Sequence, residues 1–533
     1  MNDYSSIDVI ENLLSTSLGP KGLDKVIIVD PNRDNQDNIH TDDNDLPIII
    51  TNDGATIMKN ILIEHPLGQI LRQLSLSIDK TVGDGTTSGV LLACRMIKET
   101  QYLLNSHKYH PNTIISSFQI ASDFCKRVLD SMAIDLGFHN QISDSDRSND
   151  HSSLQAENLL KQIISTSLSS KVLVNYIPQF TDIILDSISC LRKNNSSSNS
   201  NNSLFQNLSN IKYVKILGGS ISNSRLVKGV VVKLDKPFQC SNINQIANSN
   251  NGCDPSSSMT RCKVLFINFE IGYLQESSLQ LLQFNRLNLN IKVFFNLGLD
   301  KLELIHQSIG YDSDCPIHHS LSVLKKDKDT IHPIGEIDHC KLIVEKESEY
   351  YLEIVNNDKS KISTIVIKSP SIYILEEVQR SLNDSISIVT LTIDNGKVIP
   401  GGGCSEIELS IRLQNFINSL EFKQLFDSGD RGKLKMIQSI KCIECFIRSL
   451  ETIPSLLIRN SGYDWLEGLE TLKQLHRNEN KQFIYYSLDL DTGKPKNMFE
   501  KGVVEVLNGK KAILKMVVDT VSMITKIDEI IHQ

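Results

Sequence analysis

Several signals are missing from these 533 residues, and each absence closes a class of function. The basic excess of a nucleic-acid binder is not there, because the formal net charge is −8. No apolar run approaches the roughly 18 residues that a membrane-spanning helix needs. The opening MNDYSSIDVI has neither a basic region nor an apolar core, so no secretory signal is expected there. No repeat with a period of 20–50 residues is found. The P-loop pattern GxxxxGK[ST] is absent, and so is GxGxxG after a strand. The eleven cysteines are an odd number and lie scattered, which speaks against a secreted disulfide framework and for a reducing, cytoplasmic setting. Cys442 and Cys445 have metal-ligand spacing, but no second pair accompanies them. They read as two buried thiols on one helix rather than half of a zinc site.

What remains is a chain too long for one core, expected to form two to four domains. Four stretches rich in Asn, Ser and Asp read as surface loops: 32–45, 139–153, 193–203 and 246–258. Both ends look helical. Ile7, Ile10, Leu13 and Leu14 share one face, as do Ile513, Val517, Val521, Ile524 and Ile531. The middle differs, since VKILGG, VVVKL, KVLFINF and IKVFFNL read as strands. Helical ends around a mixed centre suggest one helical domain built from both ends, with another inserted.

The chemistry concentrates in glycine-rich turns. KTVGDGTTSGV (80–90) sits between Leu67, Ile70, Leu71, Leu74 and Ile78 at helical spacing and a second apolar-periodic run. The context is helix–loop–helix, and GxGxxxG is not a dinucleotide fingerprint. Gly83 and Gly85 let backbone N–H groups converge, and Thr86, Thr87 and Ser88 open the next helix, where an anion is favoured. Asp84 would repel that anion unless a hard cation such as Mg2+ stood between them. The plainer alternative is a helix-capping aspartate in a glycine turn. LGPKGLDK (18–25) and VIPGGGCSE (398–406) are further glycine turns near helix starts. In ITNDGATIMKN (50–60), Asp53-Gly54 taken alone is a turn or hairpin signal.

LGPKGLDK, TNDGAT, VGDGTTS and the later PGGG, in this order, resemble the group II chaperonins, in particular the eukaryotic cytosolic T-complex chaperonin. EHPLGQ, HPNTIISSFQIA, STSLSSK and SLDLDTGKPKN look most like its alpha branch. GGGCSE is more reminiscent of the beta branch, and NGKKAILKMV of the epsilon branch. The resemblance implies a multidomain α/β chaperonin fold. A mostly helical equatorial ATP-binding domain would comprise 1–137 and 394–533. A small intermediate hinge domain would comprise 138–213 and 346–393, and an α/β apical substrate-binding domain 214–345. It implies an ATPase subunit of a double ring of paralogous subunits in the cytoplasm, folding clients such as actin and tubulin. A structural ring subunit that binds ATP but barely hydrolyses it is the alternative, and a free-standing phosphotransferase would need an acceptor pocket and base that the chain does not display.

The resemblance also distributes roles. Asp84 would hold Mg2+. Gly19, Gly85, Thr86, Thr87, Ser88 and Lys171 would contact phosphates, and Asp53 would place the attacking water. Gly402 would border the nucleotide, with Asp489 and Glu505 near base and ribose. Asp384 would activate the water. Read alone, Asp384 is a solvated i,i+4 partner of Arg380 on a helix marked by Leu375, Val378, Leu382 and Val389. Ser369-Pro370 and Pro400-Gly401 are the expected hinges, closing the site when the domains move. Two departures stand out. The chain starts one helix before LGPKG, which puts ring contacts in question. Only EIGYLQESSL lies where the family inserts a long helical protrusion, so the protrusion is expected to be missing.

Overall fold

The computed structural model describes residues 5–28, 48–136, 150–195, 208, 210–234, 259–264, 299–308, 335–345, 349–356, 360, 362–426, 429–478 and 481–529. The chain divides into two units, one of residues 1–181 with 372–533 and one of residues 182–371.

The first unit begins with helices α1 (Ser5–Ser15), α2 (Gly54–Asn60), α3 (Pro66–Val82), α4 (Thr86–Ser106), α5 (Pro111–Met132) and α6 (Asp150–Leu168). Their ends follow from local chemistry. Pro66 opens α3 behind His65, whose ring nitrogen accepts from the Leu67 amide, and Gly83 closes it in the left-handed region at φ 80°. Pro111 behind His110 repeats that start in α5. Between α1 and α2, Lys25–Ile28 pairs antiparallel with Ile48–Thr51. Helix α7 (Ile177–Asn195) straddles the division between the units.

The second unit contains two sheets. Ile211–Leu217 runs parallel to Ser363–Ser369, which pairs on its other edge with Arg225–Val227. Gly229–Leu234, Glu349–Val355, Gly335–Glu345 and Met259–Val264 form an antiparallel sheet in that order. Helix α8 (Leu299–Ser308) is its further helix. Ile216, Val227, Val231, Tyr351 and Val366 pack as a local core.

The first unit resumes with α9 (Ile372–Asn395), α10 (Cys404–Asn418), α11 (Asp430–Leu450), α12 (Thr452–Asn460), α13 (Trp465–His476) and α14 (Leu507–Thr525). Its core joins both ends of the chain: Ile7, Ile10 and Leu14 of α1 share one cluster with Val517, Val521 and Ile524 of α14. Burying each such side chain contributes about 1.5–3 kcal/mol, so neither end can hold this core alone.

The helical faces expected at both ends are present, although α14 stops at Thr525 and Ile531 lies outside the described residues. VKILGG and VVVKL are strands. The loop expected over 139–153 is too long, because α6 starts at Asp150, and that over 193–203 overshoots the end of α7 at Asn195. Polar composition misled there: a helix end needs few apolar residues. The stretches 32–45 and 246–258, most of KVLFINF, IKVFFNL, and the expected site of the missing protrusion lie outside the described residues. Cys442 and Cys445 are fully buried thiols on α11, and Arg448 donates to the Cys445 sulfur at 2.9 Å.

Candidate nucleotide site

A cavity of about 550 Å³ lies inside the first unit. Its walls include Gly19, Asp53, Asp84 to Ser88, Lys171, Gly402 and Glu505. Ten of the twelve residues singled out from the sequence therefore meet around one space. Asp384 and Asp489 are the two outside the lining, and each is tied to a lysine that lines it.

The GDG turn is built as the sequence suggests. Gly83 and Gly85 both have positive φ, at 80° and 74°. The Asp84 carboxylate accepts from the Gly85 amide at 2.6 Å, and Gly85 caps α4 without any side-chain hydrogen bond. The first amides of α4 are thus left to the cavity, next to a half-buried carboxylate. A Cβ on Gly83 would sit 2.6 Å from the Ser387 Cβ, so this glycine also allows the turn to pack on α9.

Asp53 proves to be more than a turn residue. It caps α2, accepting from the Ala55 and Thr56 amides at 3.3 and 2.9 Å and from the Thr56 hydroxyl at 2.7 Å. The Thr86 hydroxyl of α4 also donates to it at 3.2 Å. Gly54 brings the two helix starts together, since a Cβ there would stand 2.6 Å from the Thr87 hydroxyl and 2.8 Å from its amide nitrogen.

Lys171 follows α6 and is almost completely buried. Its ammonium bonds to the Asp384 carboxylate on α9. Arg380, expected as the partner of Asp384, instead holds Glu377 at 2.7 Å. Ser167 and Ser385 hydrogen-bond at 2.9 Å and pin α6 to α9 beside the ion pair. Burial raises the Asp384 carboxyl to about 8: Lys171 pulls it down, but burial together with the carboxylates of Asp53 and Asp84 outweighs that pull. Burial disfavours the Lys171 charge, yet Asp384, Asp84 and Asp53 raise its pKa above the usual lysine range. Asp79, facing the same charges from α3, is raised by burial and by Asp53.

This cluster has more carboxylates than cations, and that is the test a Mg2+ ion must meet. Among the described residues no group of three or more His, Cys, Asp or Glu side chains is arranged to hold a metal by itself. Magnesium bound through one carboxylate and substrate phosphates needs no such cage. Asp84 beside an uncapped helix start fits that demand.

The far wall comes from the C-terminal segment. Glu505 accepts from Lys510 at 2.7 Å, and Lys510 also pairs with Glu406 at 2.5 Å. Burial raises the Glu505 carboxyl, with Lys510 opposing it. Gly402 offers its carbonyl to the Ser487 hydroxyl at 2.7 Å. Asp489 already accepts from Lys501, from the Thr492 hydroxyl at 3.0 Å and from the Asp491 amide at 3.2 Å. Sequence reading gave no role to Lys501 or to Lys510, although Lys510 lies in the quoted stretch NGKKAILKMV. It also passed over Asn52, whose only signal was its place beside Asp53; its amide donates to the Ser170 carbonyl next to Lys171.

Residues 10–286 and 313–533 match the TCP-1/cpn60 chaperonin family. The chain belongs to that family. Chaperonin-family membership supports a chaperone subunit of a ring complex and, in general terms, an ATPase. Its relatives include a thermosome subunit of Pyrococcus horikoshii, 26% identical over 98% of this chain and 89% of the relative. The T-complex protein 1 subunit alpha of Tetrahymena pyriformis is 25% identical over 99% and 94%. The T-complex protein 1 subunit beta of Dictyostelium discoideum is 28% identical over 100% and 93%. The likeness is spread across archaeal and eukaryotic branches, so it does not single out the alpha branch. Among the described residues, no helix is long and apolar enough to cross a membrane.

Proposed function

We propose that this chaperonin-family chain binds and hydrolyses ATP with Mg2+ in the cavity of its first unit, as one subunit of a cytoplasmic double ring of paralogues. Clients such as actin and tubulin belong to the same reading. The observation that carries it is the meeting of Asp84, the uncapped start of α4 and the Lys171–Asp384 pair around one cavity.

In this reading the backbone of Gly19 and Gly85, the amides and hydroxyls of Thr86, Thr87 and Ser88, and the Lys171 ammonium take up phosphate oxygens. Asp84 would hold Mg2+, which would supply charge neutralisation at the phosphates. Asp53, fixed by its four donors, orients water from one side. Asp384 accepts a proton from that water once Lys171 turns to the phosphates. Gly402, Glu505 and Asp489 shape the end that takes base and ribose, with Asp489 acting through Lys501. We further propose the three-part division into equatorial (1–137, 394–533), intermediate (138–213, 346–393) and apical (214–345) domains. Ser369-Pro370, one residue short of the end of the second unit at Ser371, and Pro400-Gly401 serve as hinges. The alpha-like placement rests on the short stretches quoted above.

Two substitutions test the division of labour. Asp84→Ala is expected to abolish Mg-ATP binding measured by calorimetry. Asp384→Ala is expected to leave affinity within about threefold while slowing hydrolysis by about a hundredfold or more, the usual scale for a lost proton acceptor. Equal loss of affinity in both variants would refute the assignment. A binding-only ring subunit, the second reading, predicts that wild-type turnover is already as slow as that of Asp384→Ala.

A further inference from the structure

Resting on the reading of the cavity as a nucleotide site, we propose that Lys501 is a positioning residue, the centre of an electrostatic strap that sets how long the nucleotide stays. Four side chains form one chain of alternating charge. Lys501 bonds to Asp489 and, at 3.1 Å, to Asp491; Asp491 in turn pairs with Lys21 at 3.2 Å. These residues come from three separate segments. Asp489 ends the strand Tyr486–Asp489, Lys501 closes the helical turn Met498–Lys501, and Lys21 lies in the glycine turn after α1.

Two acids meet two bases, so the strap is neutral and satisfied within itself. Side-chain exposure is 7% at Asp489 and 23% at Lys501, then 62% at Asp491 and 51% at Lys21. The strap therefore runs outward from the interior to the surface. Lys21, Asp491 and Lys501 all line the cavity, and Gly19 and Pro20 line it beside Lys21. The Lys21–Asp491 pair thus ties the turn at residues 19–22 to the turn after Asp489, and Lys501 holds that turn by both of its carboxylates.

The charges respond accordingly. Burial raises the Asp489 carboxyl, but Lys501, the Asp491 amide and Thr492 together bring it below the usual carboxylate range. Lys501 and Lys21 lower Asp491. The outer pair is exposed enough to open readily, whereas the inner pair is shielded from solvent. Opening of the outer pair frees the Gly19 turn while Lys501 keeps Asp489 in place.

The test loads the full-length chain with a fluorescent ATP analogue and chases it with unlabelled ATP. Lys501→Met is expected to release the analogue about fivefold faster, and Lys21→Met, at the exposed end where folding is not at stake, about twofold faster. Lys501→Arg should restore the wild-type rate, because charge rather than shape carries the role. Release unchanged in both methionine variants, or Lys501→Arg as fast as Lys501→Met, overturns the proposal. Hydrogen exchange without nucleotide separates the strap from the site reading. The amides of Gly22 and Leu23 bond to the Gly19 and Thr16 carbonyls. They should exchange faster in Lys501→Met. If the wild-type chain bound no analogue, the nucleotide reading would fall. Faster exchange would then still uphold the strap, and unchanged exchange would overturn it.

Discussion

At the scale of single residues, the decisive contact is between Lys171 and Asp384, 213 positions apart in the chain. An aspartate raised to about 8 is protonated at neutral pH more often than an ordinary carboxylate, and it accepts a proton only after ionising. The sign follows: turnover should climb as pH rises above neutrality, and the rising limb should vanish in Asp384→Asn. A pH–rate profile of the two proteins checks it. Because Asp79 and Asp384 are both raised, a cation placed among these carboxylates releases protons, so the affinity for Mg2+ itself should also rise with pH. Gly85, the hydroxyls of Thr86, Thr87 and Ser88, and Asp84 were legible because they sit together in one eleven-residue stretch. The Lys171–Asp384 pair was not, since no local pattern links residues so far apart. Local spacing pointed Asp384 to Arg380, but Glu377, one turn earlier on the same helix and 3% exposed, holds that arginine instead.

At the scale of elements, the site is a meeting of helix ends. Starts of α2 and α4 touch through Asp53, Thr86 and Gly54, while α9 packs on the turn before α4 through Ser387. Gly54→Ala should therefore displace the first turn of α4. Turnover should fall by about a hundredfold, with helix content by circular dichroism little changed. Helix faces were readable from apolar spacing: Leu67, Leu71, Leu74 and Ile78 are buried as expected, and Ile70 is half-buried. The capping role of Asp53 was hidden because a DG pair serves turns, hairpins and caps alike. Lys510 and Lys501 were hidden for another reason. A half-buried lysine looks like a surface lysine until the carboxylates around it are known.

At the scale of the whole molecule, the order of the chain and the order of folding do not coincide. The cluster that unites α1, α3 and α4 with α14 draws on residues before 181 and after 372. On the ribosome, the first portion emerges with its apolar helix faces uncovered and must wait for the whole of 182–371 to be made. At about 5–20 residues per second, that delay is on the order of 10–40 s. A nascent chain stalled at residue 371 should be cut readily by protease within its first 130 residues, and one released at full length should resist. Resistance in the stalled chain would show that the early helices close without their late partners. A protein of a family of folding helpers thus leaves its own synthesis with a long exposed interval, the very condition in which a newly made polypeptide most needs shelter.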